Sequence, residues 1–250
     1  PPLRVSRKRP HGRQALAMGE NGLMTTGGFD AVLDHLTGEI LDGRVVPGER
    51  LPTERDLATR LGASRSAVRE AIKVLQAQGV LTSQAGPGGG TRVATGQGVA
   101  LGRMLRLHVA LGAVSFDELT ETRVLLERGA ARAAAGKAGA ADIAELERLL
   151  AEMVANSDER TFNELDTAFH LAIAGSGANR LMRDITVAIR EAVAERILVA
   201  ERELDAWPRF RDRLNQQHRA ILEAIRQGDG DLAAERVDRH IREAHRVLLG

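Results

Sequence analysis

A chain of 250 residues is long enough for two domains with separate cores, and a formal net charge of +1 excludes a polycation that holds nucleic acid by total charge alone. The absence of cysteine excludes disulfide frameworks and thiolate metal sites, while 2% aromatic content with abundant Ala, Arg, Gly and Leu favours helix over sheet. No apolar run approaches the ~20 residues a membrane span requires, so a cytoplasmic location is expected.

Residues 1–27 read as a disordered basic arm, with Arg4, Arg7, Lys8, Arg9 and Arg13 among Pro and Gly. The expectation is an idle tail, or leader sequence ahead of a start near Met18 or Met24; no continuous apolar segment follows to make a secretory signal. Phe29, Val32, Leu33, Leu36 and Ile40 then mark an amphipathic helix closed by Gly43.

Leu51 to Val93 carries the densest pattern. Thr53 with Asp56 predicts a capped helix start, and Gly62 a left-handed stop. Ser64 is placed to cap a second helix with two faces: Val68, Ala71, Ile72 and Leu75 form a buried stripe, while Arg65, Arg69 and Lys73 form a cationic one. A recognition helix needs that division, because one side packs on its scaffold and the other offers guanidinium forks to guanine edges or phosphates. Leu81 to Ala85 and Thr91 to Ala94 are expected to pair across the glycine-rich turn 86–90 as a wing. Residues 25–95 carry 8 Lys and Arg against 8 Asp and Glu, so affinity for DNA must come from where charge is placed.

These residues resemble the winged helix-turn-helix of GntR-family transcription regulators. The similarity spans Pro47-Gly48, Leu51-Pro52-Thr53-Glu54-Arg55, the run Ser64 to Ala71, and Gly88-Gly89-Gly90-Thr91-Arg92-Val93. It implies that Arg55, Ser64, Arg65, Ser66 and Arg69 touch DNA and that the wing glycines Gly88 and Gly89 approach the minor groove. Ala85 departs from the base-reading histidine of the fatty-acid-responsive member.

The Gly, Thr and Gln content of residues 86–98 suggests a hinge, which divides the chain into a DNA-binding domain over 28–96 and a second domain over 97–250. Beyond it the 3.6-residue period predicts six or seven helices in an antiparallel bundle. One opens on a capping box at Ser115-Phe116-Asp117-Glu118; the others run near 141–155, 159–174, 179–205, 209–227 and 231–248. Trp207-Pro208 is taken as a separator between two of them. The fold class is therefore mainly α, a winged helix-turn-helix with a small hairpin followed by an all-α bundle.

Polar residues interrupt the apolar faces of that bundle. Asp166 and His170 sit at i, i+4 beside Phe162, Leu165, Phe169 and Ile173; His218 sits among Leu214, Ile221 and Leu222, and His240 beside Val237 and Ile241. A buried carboxylate and buried imidazoles are costly unless paired or metal-bound. Together they would suit Zn, Ni, Mn or Fe; singly, each is an ordinary core or surface histidine, as His35, His108 and His245 are read. Residues 116–246 resemble the FCD ligand-binding domain of the FadR subgroup, through Arg123 with Glu127, Asp166 to His170, Asn179, His218-Arg219-Ala220-Ile221 and His240-Ile241. The resemblance implies one divalent metal per chain, zinc first, held by Asp166, His170, His218 and His240. It also implies a small carboxylate effector held by Arg123, and a homodimer reading a short inverted-repeat operator in double-stranded DNA, most simply as a repressor. Competing readings are an ion pair of Arg123 with Glu127, Asn179 as a helix cap, a metal-free regulator with a bulkier ligand, and a metal-dependent hydrolase.

Overall fold

The computed structural model describes residues 28–250 apart from Pro87 and Gln97, so the basic arm expected over 1–27 lies outside the described residues. Helix α1 (Phe29–Leu41), α2 (Glu54–Leu61) and α3 (Arg65–Ala77) precede a hairpin of β1 (Leu81–Gln84) and β2 (Gly90–Val93). Thr53 caps α2 by accepting the amide of Asp56 at 3.2 Å, and Ser64 caps α3 by accepting that of Ala67 at 3.0 Å. Between them Gly62 ends α2 at φ +59°, where a Cβ would be strained. The apolar stripe of α3 is buried with Val32, Leu36, Leu57, Leu81 and Val93 in one core.

The hairpin pairs Leu81 with Val93 and Gln84 with Gly90, so β1 stops one residue before the expected Ala85 and β2 lies one residue earlier than the expected Thr91 to Ala94. Its second strand has another partner that the sequence reading missed. Leu51 donates its amide to Thr91 at 2.8 Å, and Val93 donates to Glu49 at 2.9 Å, so residues 48–51 line the far edge of β2. This short segment carries no alternation, which is why periodicity does not reveal it.

Seven helices follow: α4 (Gly98–Ala110), α5 (Phe116–Lys137), α6 (Ala140–Ala155), α7 (Glu159–Ser176), α8 (Arg180–Glu203), α9 (Trp207–Arg226) and α10 (Gly230–Leu248). Ser115 and Glu118 form the reciprocal capping box at the head of α5. Asn179 caps α8 through its side chain, accepting the amide of Met182 at 3.0 Å. Trp207-Pro208 is not a break: both belong to the first turn of α9, where proline's missing N–H has no helical partner to lose. Trp207 is buried edge-on to Phe162, with ring centroids 5.2 Å apart.

The bundle is built on two packings. In the larger, α10 lies along α5, and α6, α7 and α9 close a core around Phe162, Phe169, Leu146, Met153 and Ile221. In the smaller, α4 lies on α8 through Gly98 and Gly102. A Cβ at Gly98 would come within 2.5 Å of Val187 Cβ, and one at Gly102 within 2.7 Å of Glu191 Cβ. Among the described residues no helix is long and apolar enough to cross a membrane.

Candidate metal centre and DNA-facing surface

Arg55, Ser64, Arg65, Ser66 and Arg69 are all exposed, on the face of α2 and α3 opposite the buried stripe. Ser64 already accepts the Ala67 amide, so only its remaining hydrogen-bonding capacity is free for another partner. Arg69 donates Nε to Glu54 at 3.1 Å, and Lys73 pairs with Glu70 at 3.1 Å. Among the described residues Arg55 and Arg65 form no ion pair. In the wing, Gly88 is exposed at φ +79°, whereas Gly89 is half-buried and a Cβ there would collide with the Gln84 carbonyl. Gly89 is thus required by the turn itself, whatever lies outside it.

In the bundle, α7, α9 and α10 bring Asp166, His170, His218 and His240 together, with one donor atom of each inside a 4.8 Å span. Asp166 Oδ1 lies 3.0 Å from Nε2 of His218, 3.8 Å from that of His170 and 3.9 Å from that of His240, and the last two nitrogens are 3.2 Å apart. The three imidazoles are fully or almost fully buried.

Their outer nitrogens decide what the inner ones are. His170 Nδ1 lies 2.6 Å from a Glu127 oxygen, and His240 Nδ1 lies 2.9 Å from Oε1 of Gln217. Both neighbours are acceptors, so each Nδ1 carries the proton and each Nε2 presents a lone pair. Burial and the nearby Arg190 push His170 down to about 4, and burial with the other two imidazoles pushes His240 well below the ordinary range, so both rings are neutral at pH 7. His218 Nε2 approaches Asp166 without the alignment of a hydrogen bond and has no other partner. Two imidazole lone pairs and a carboxylate oxygen therefore converge, with the unpartnered His218 nitrogen beside them. Bond lengths of about 2.0–2.2 Å to a common ion place neighbouring donors about 3–4 Å apart, and the four distances given above fall in that range.

Around this cluster runs a network of buried charge. Arg190 of α8 reaches Asp166 Oδ2 at 2.9 Å through Nη1 and grips both oxygens of Glu127 at 3.0 and 2.9 Å. Burial opposes ionisation of both acids. Arg190, Arg123 and His170 nonetheless hold Glu127 well below the usual carboxylate range; His218, His170 and Arg190 do the same for Asp166. Arg123 is buried and donates Nε to Glu127 at 2.7 Å, as its ion-pair reading required, and it also lines a small cavity with Thr120, Val193, Ala244 and His245. His245 is held by Asp117 at 3.0 Å and Thr120 at 3.1 Å, while His35 and His108 are exposed.

Three members of this site were not picked out from the sequence. Glu127 entered only as the partner of Arg123, yet it also orients His170. Arg190 stands 63 residues from Glu127, and its one available signal was an arginine within the apolar stripe Thr186, Ile189, Val193. Gln217 precedes His218 and looks outward in a one-dimensional reading, although it fixes His240 from the neighbouring helix.

Residues 29–93 match the bacterial regulatory proteins of the gntR family, and residues 118–243 match the FCD domain. The Galactonate operon transcriptional repressor of Escherichia coli K12 is 29% identical over 218 residues, 85% of this chain and 93% of that protein. The HTH-type transcriptional regulator LutR of Bacillus subtilis is 29% identical over 84% of this chain and 96% of its own, and the Glc operon transcriptional activator of Escherichia coli K12 is 28% identical over 88% of each. Among solved structures, Streptococcus agalactiae GntR superposes with a TM-score of 0.60 at 26% identity, covering 87% of this chain and 99% of that one. These relatives are named as regulators, so the hydrolase reading finds no counterpart among them. With a recognition helix ahead of a bundle that matches the FCD domain over residues 118–243, this chain belongs to the GntR family of transcription regulators and is a DNA-binding member of its FCD-containing branch.

Proposed function

We propose that the chain is a homodimeric repressor whose grip on an inverted-repeat operator is controlled by a small carboxylate bound at a divalent metal, with zinc as the first choice. The observation that carries this reading is the convergence of buried acceptor atoms from Asp166, His170 and His240 beside the unpartnered nitrogen of His218. Such an arrangement is repulsive without a cation among its atoms. Nitrogen and oxygen donors suit zinc or a neighbouring divalent ion. A bound ion would supply positive charge and open coordination positions.

Charge then selects the effector. Arg123 and Arg190 cancel Glu127 and Asp166, and neutral imidazoles add nothing, so a divalent ion leaves the buried cluster with an excess of two positive charges. An anion relieves that excess. Arg123 is the second handle, because it lines the cavity and commits only Nε to Glu127, which leaves the terminal nitrogens of its fork for a carboxylate. Dimerisation is supported by the exposed apolar residues Leu101, Met104 and Leu107 of α4 and Leu111 just after it, which a second copy would cover. Two-fold symmetry in the protein asks for the same in its operator. Effector and operator oppose each other by linkage, with a coupling of about 1–3 kcal/mol.

Elemental analysis of protein purified without chelators tests the first step. Wild type should carry close to one equivalent of metal per chain and His218→Ala below a tenth of that. Equal metal content in the two proteins would remove His218 from the site and the reading with it.

A further inference from the structure

The wing has no charge of its own. Residues 81–91 contain no Lys, Arg, His, Asp or Glu, so a polyanion meeting the hairpin finds no cation there to release its counterions. Charge reaches it instead from the segment on the far edge of β2. Arg50 stands opposite Arg92, and the buried Leu51, Leu81 and Val93 alternate with them, which turns both arginines to the outer face of the sheet with Thr82 and Gln84.

The guanidinium of Arg50 lies along the hairpin. A Cβ on Gly90 would come within 2.8 Å of Arg50 Nε and 3.1 Å of Nη2, so that plate fills the space a side chain at position 90 would take. Gly90, at φ +130°, pairs with Gln84 as the last rung before the tip. A cation is thereby delivered to the base of the glycine turn from outside the hairpin. Only residues 51–53 separate Arg50 from the first turn of α2, which bears Arg55, so the same guanidinium also borders the start of the helix-turn-helix.

This charge is not compensated within the protein. Among the described residues neither Arg50 nor Arg92 forms an ion pair, and like charges directly opposite across a sheet repel. Arg92 donates Nη1 to the Gly48 carbonyl at 3.1 Å, whereas Arg50 is exposed and its side chain has no hydrogen-bond partner among the described residues. An anion along this face would relieve the repulsion.

We propose that Arg50 supplies the wing's charged contact with DNA, entering the minor groove beside the wing glycines and favouring A·T pairs there. A glycine tip is thin enough to approach a narrow groove, and the groove is narrowest and most negative over A·T runs, where no guanine amino group stands in the way of a guanidinium. The inference depends on DNA binding alone and is independent of the metal site.

Fluorescence anisotropy on the full-length protein, with a duplex it selects from a random pool, tests this at a series of salt concentrations. Arg50→Ala is expected to weaken binding about tenfold and to reduce the slope of log affinity against log salt by about 1. Diaminopurine in place of adenine then locates the contact, because it adds an amino group in the minor groove and keeps the major-groove edge of adenine. It should weaken wild type about tenfold and Arg50→Ala about twofold or less, a coupling that a shared contact produces. Arg50→Lys should keep the salt slope but lose most of the response to diaminopurine, since an ammonium is more strongly hydrated than a guanidinium. The melting temperature of Arg50→Ala should hold or rise, as the charge facing Arg92 is gone. An equal response of wild type and Arg50→Ala to diaminopurine would overturn the inference, leaving Arg50 at most a phosphate contact. Unchanged affinity and slope in Arg50→Ala would overturn it as well. Weakened binding with an unaltered slope and a lowered melting temperature would make Arg50 a structural part of the wing, which is equally fatal to it.

Discussion

Single side chains on α3 divide into those already engaged and those free to engage. Replacing Arg65 or Arg69 with Ala is expected to weaken binding to the selected operator by about 1–3 kcal/mol if each makes a bidentate base contact; fluorescence anisotropy on operator and random duplexes distinguishes this from a phosphate contact, which would weaken both equally. Arg69 has Nε engaged by Glu54, which leaves its terminal nitrogens to reach a base. Glu201 is a residue whose titration the fold disturbs: burial first, then the charges of Asp166 and Glu159, push it up to about 8. Its protonated form is the one the folded state favours, so the native protein binds more protons than the unfolded chain between the ordinary value of 4.5 and about 8. Stability of metal-stripped protein should therefore fall as pH rises through that window. Glu201→Gln should flatten the decline and melt higher than wild type at pH 8, with little difference at pH 5; parallel melting curves across the window would show that Glu201 titrates normally.

At the scale of elements, α8 is the member through which the bundle's chemistry reaches its edge. Arg190 holds Asp166 on one side of α8, and on the other Ala188, Glu191 and Val187 receive Gly98 and Gly102 of α4 without room for a methyl group. Gly102→Val must push α4 off α8, and is expected to lower the melting temperature by several degrees and to blunt the effector's influence on DNA more than it blunts effector binding itself; calorimetry and anisotropy on the same preparation measure the two effects. Helices of this kind were legible in the sequence because their stripes and caps are local: Ser115 with Glu118, Ser64 and Asn179 each announce a helix start within four residues. The grouping of Asp166, His170, His218 and His240 was available only through a family likeness, since nothing local says which helix faces which. Arg190 and Gln217 stayed hidden for the same reason, as their partners lie across helix pairs. Trp207-Pro208 misled because proline ends a helix from inside but opens one from its first turn.

At the scale of the molecule, the two halves are joined closely. Strand β2 ends at Val93 and α4 begins at Gly98, and a groove between them and the bundle is lined by Gln78, Thr95, Met104, Leu181 and Ile185. A tether this short can transmit displacement only while it stays taut. Inserting Gly-Ser-Gly-Ser after Thr95 is expected to preserve operator affinity and effector affinity within about threefold while removing most of their mutual antagonism, of which about 1–3 kcal/mol is anticipated. Retained antagonism in the inserted protein would place the coupling in the proposed dimer contact instead of the tether.

The four donors gathered inside the bundle also bear on how much of this regulator a cell can keep. If the proposed ion is held there, polypeptides made during metal scarcity would fold around lone pairs with no cation between them, open more often, and meet proteases while open. Starvation for the ion would then act on abundance before it acted on signalling, and genes under its control would respond to nutrient metal through turnover of the protein.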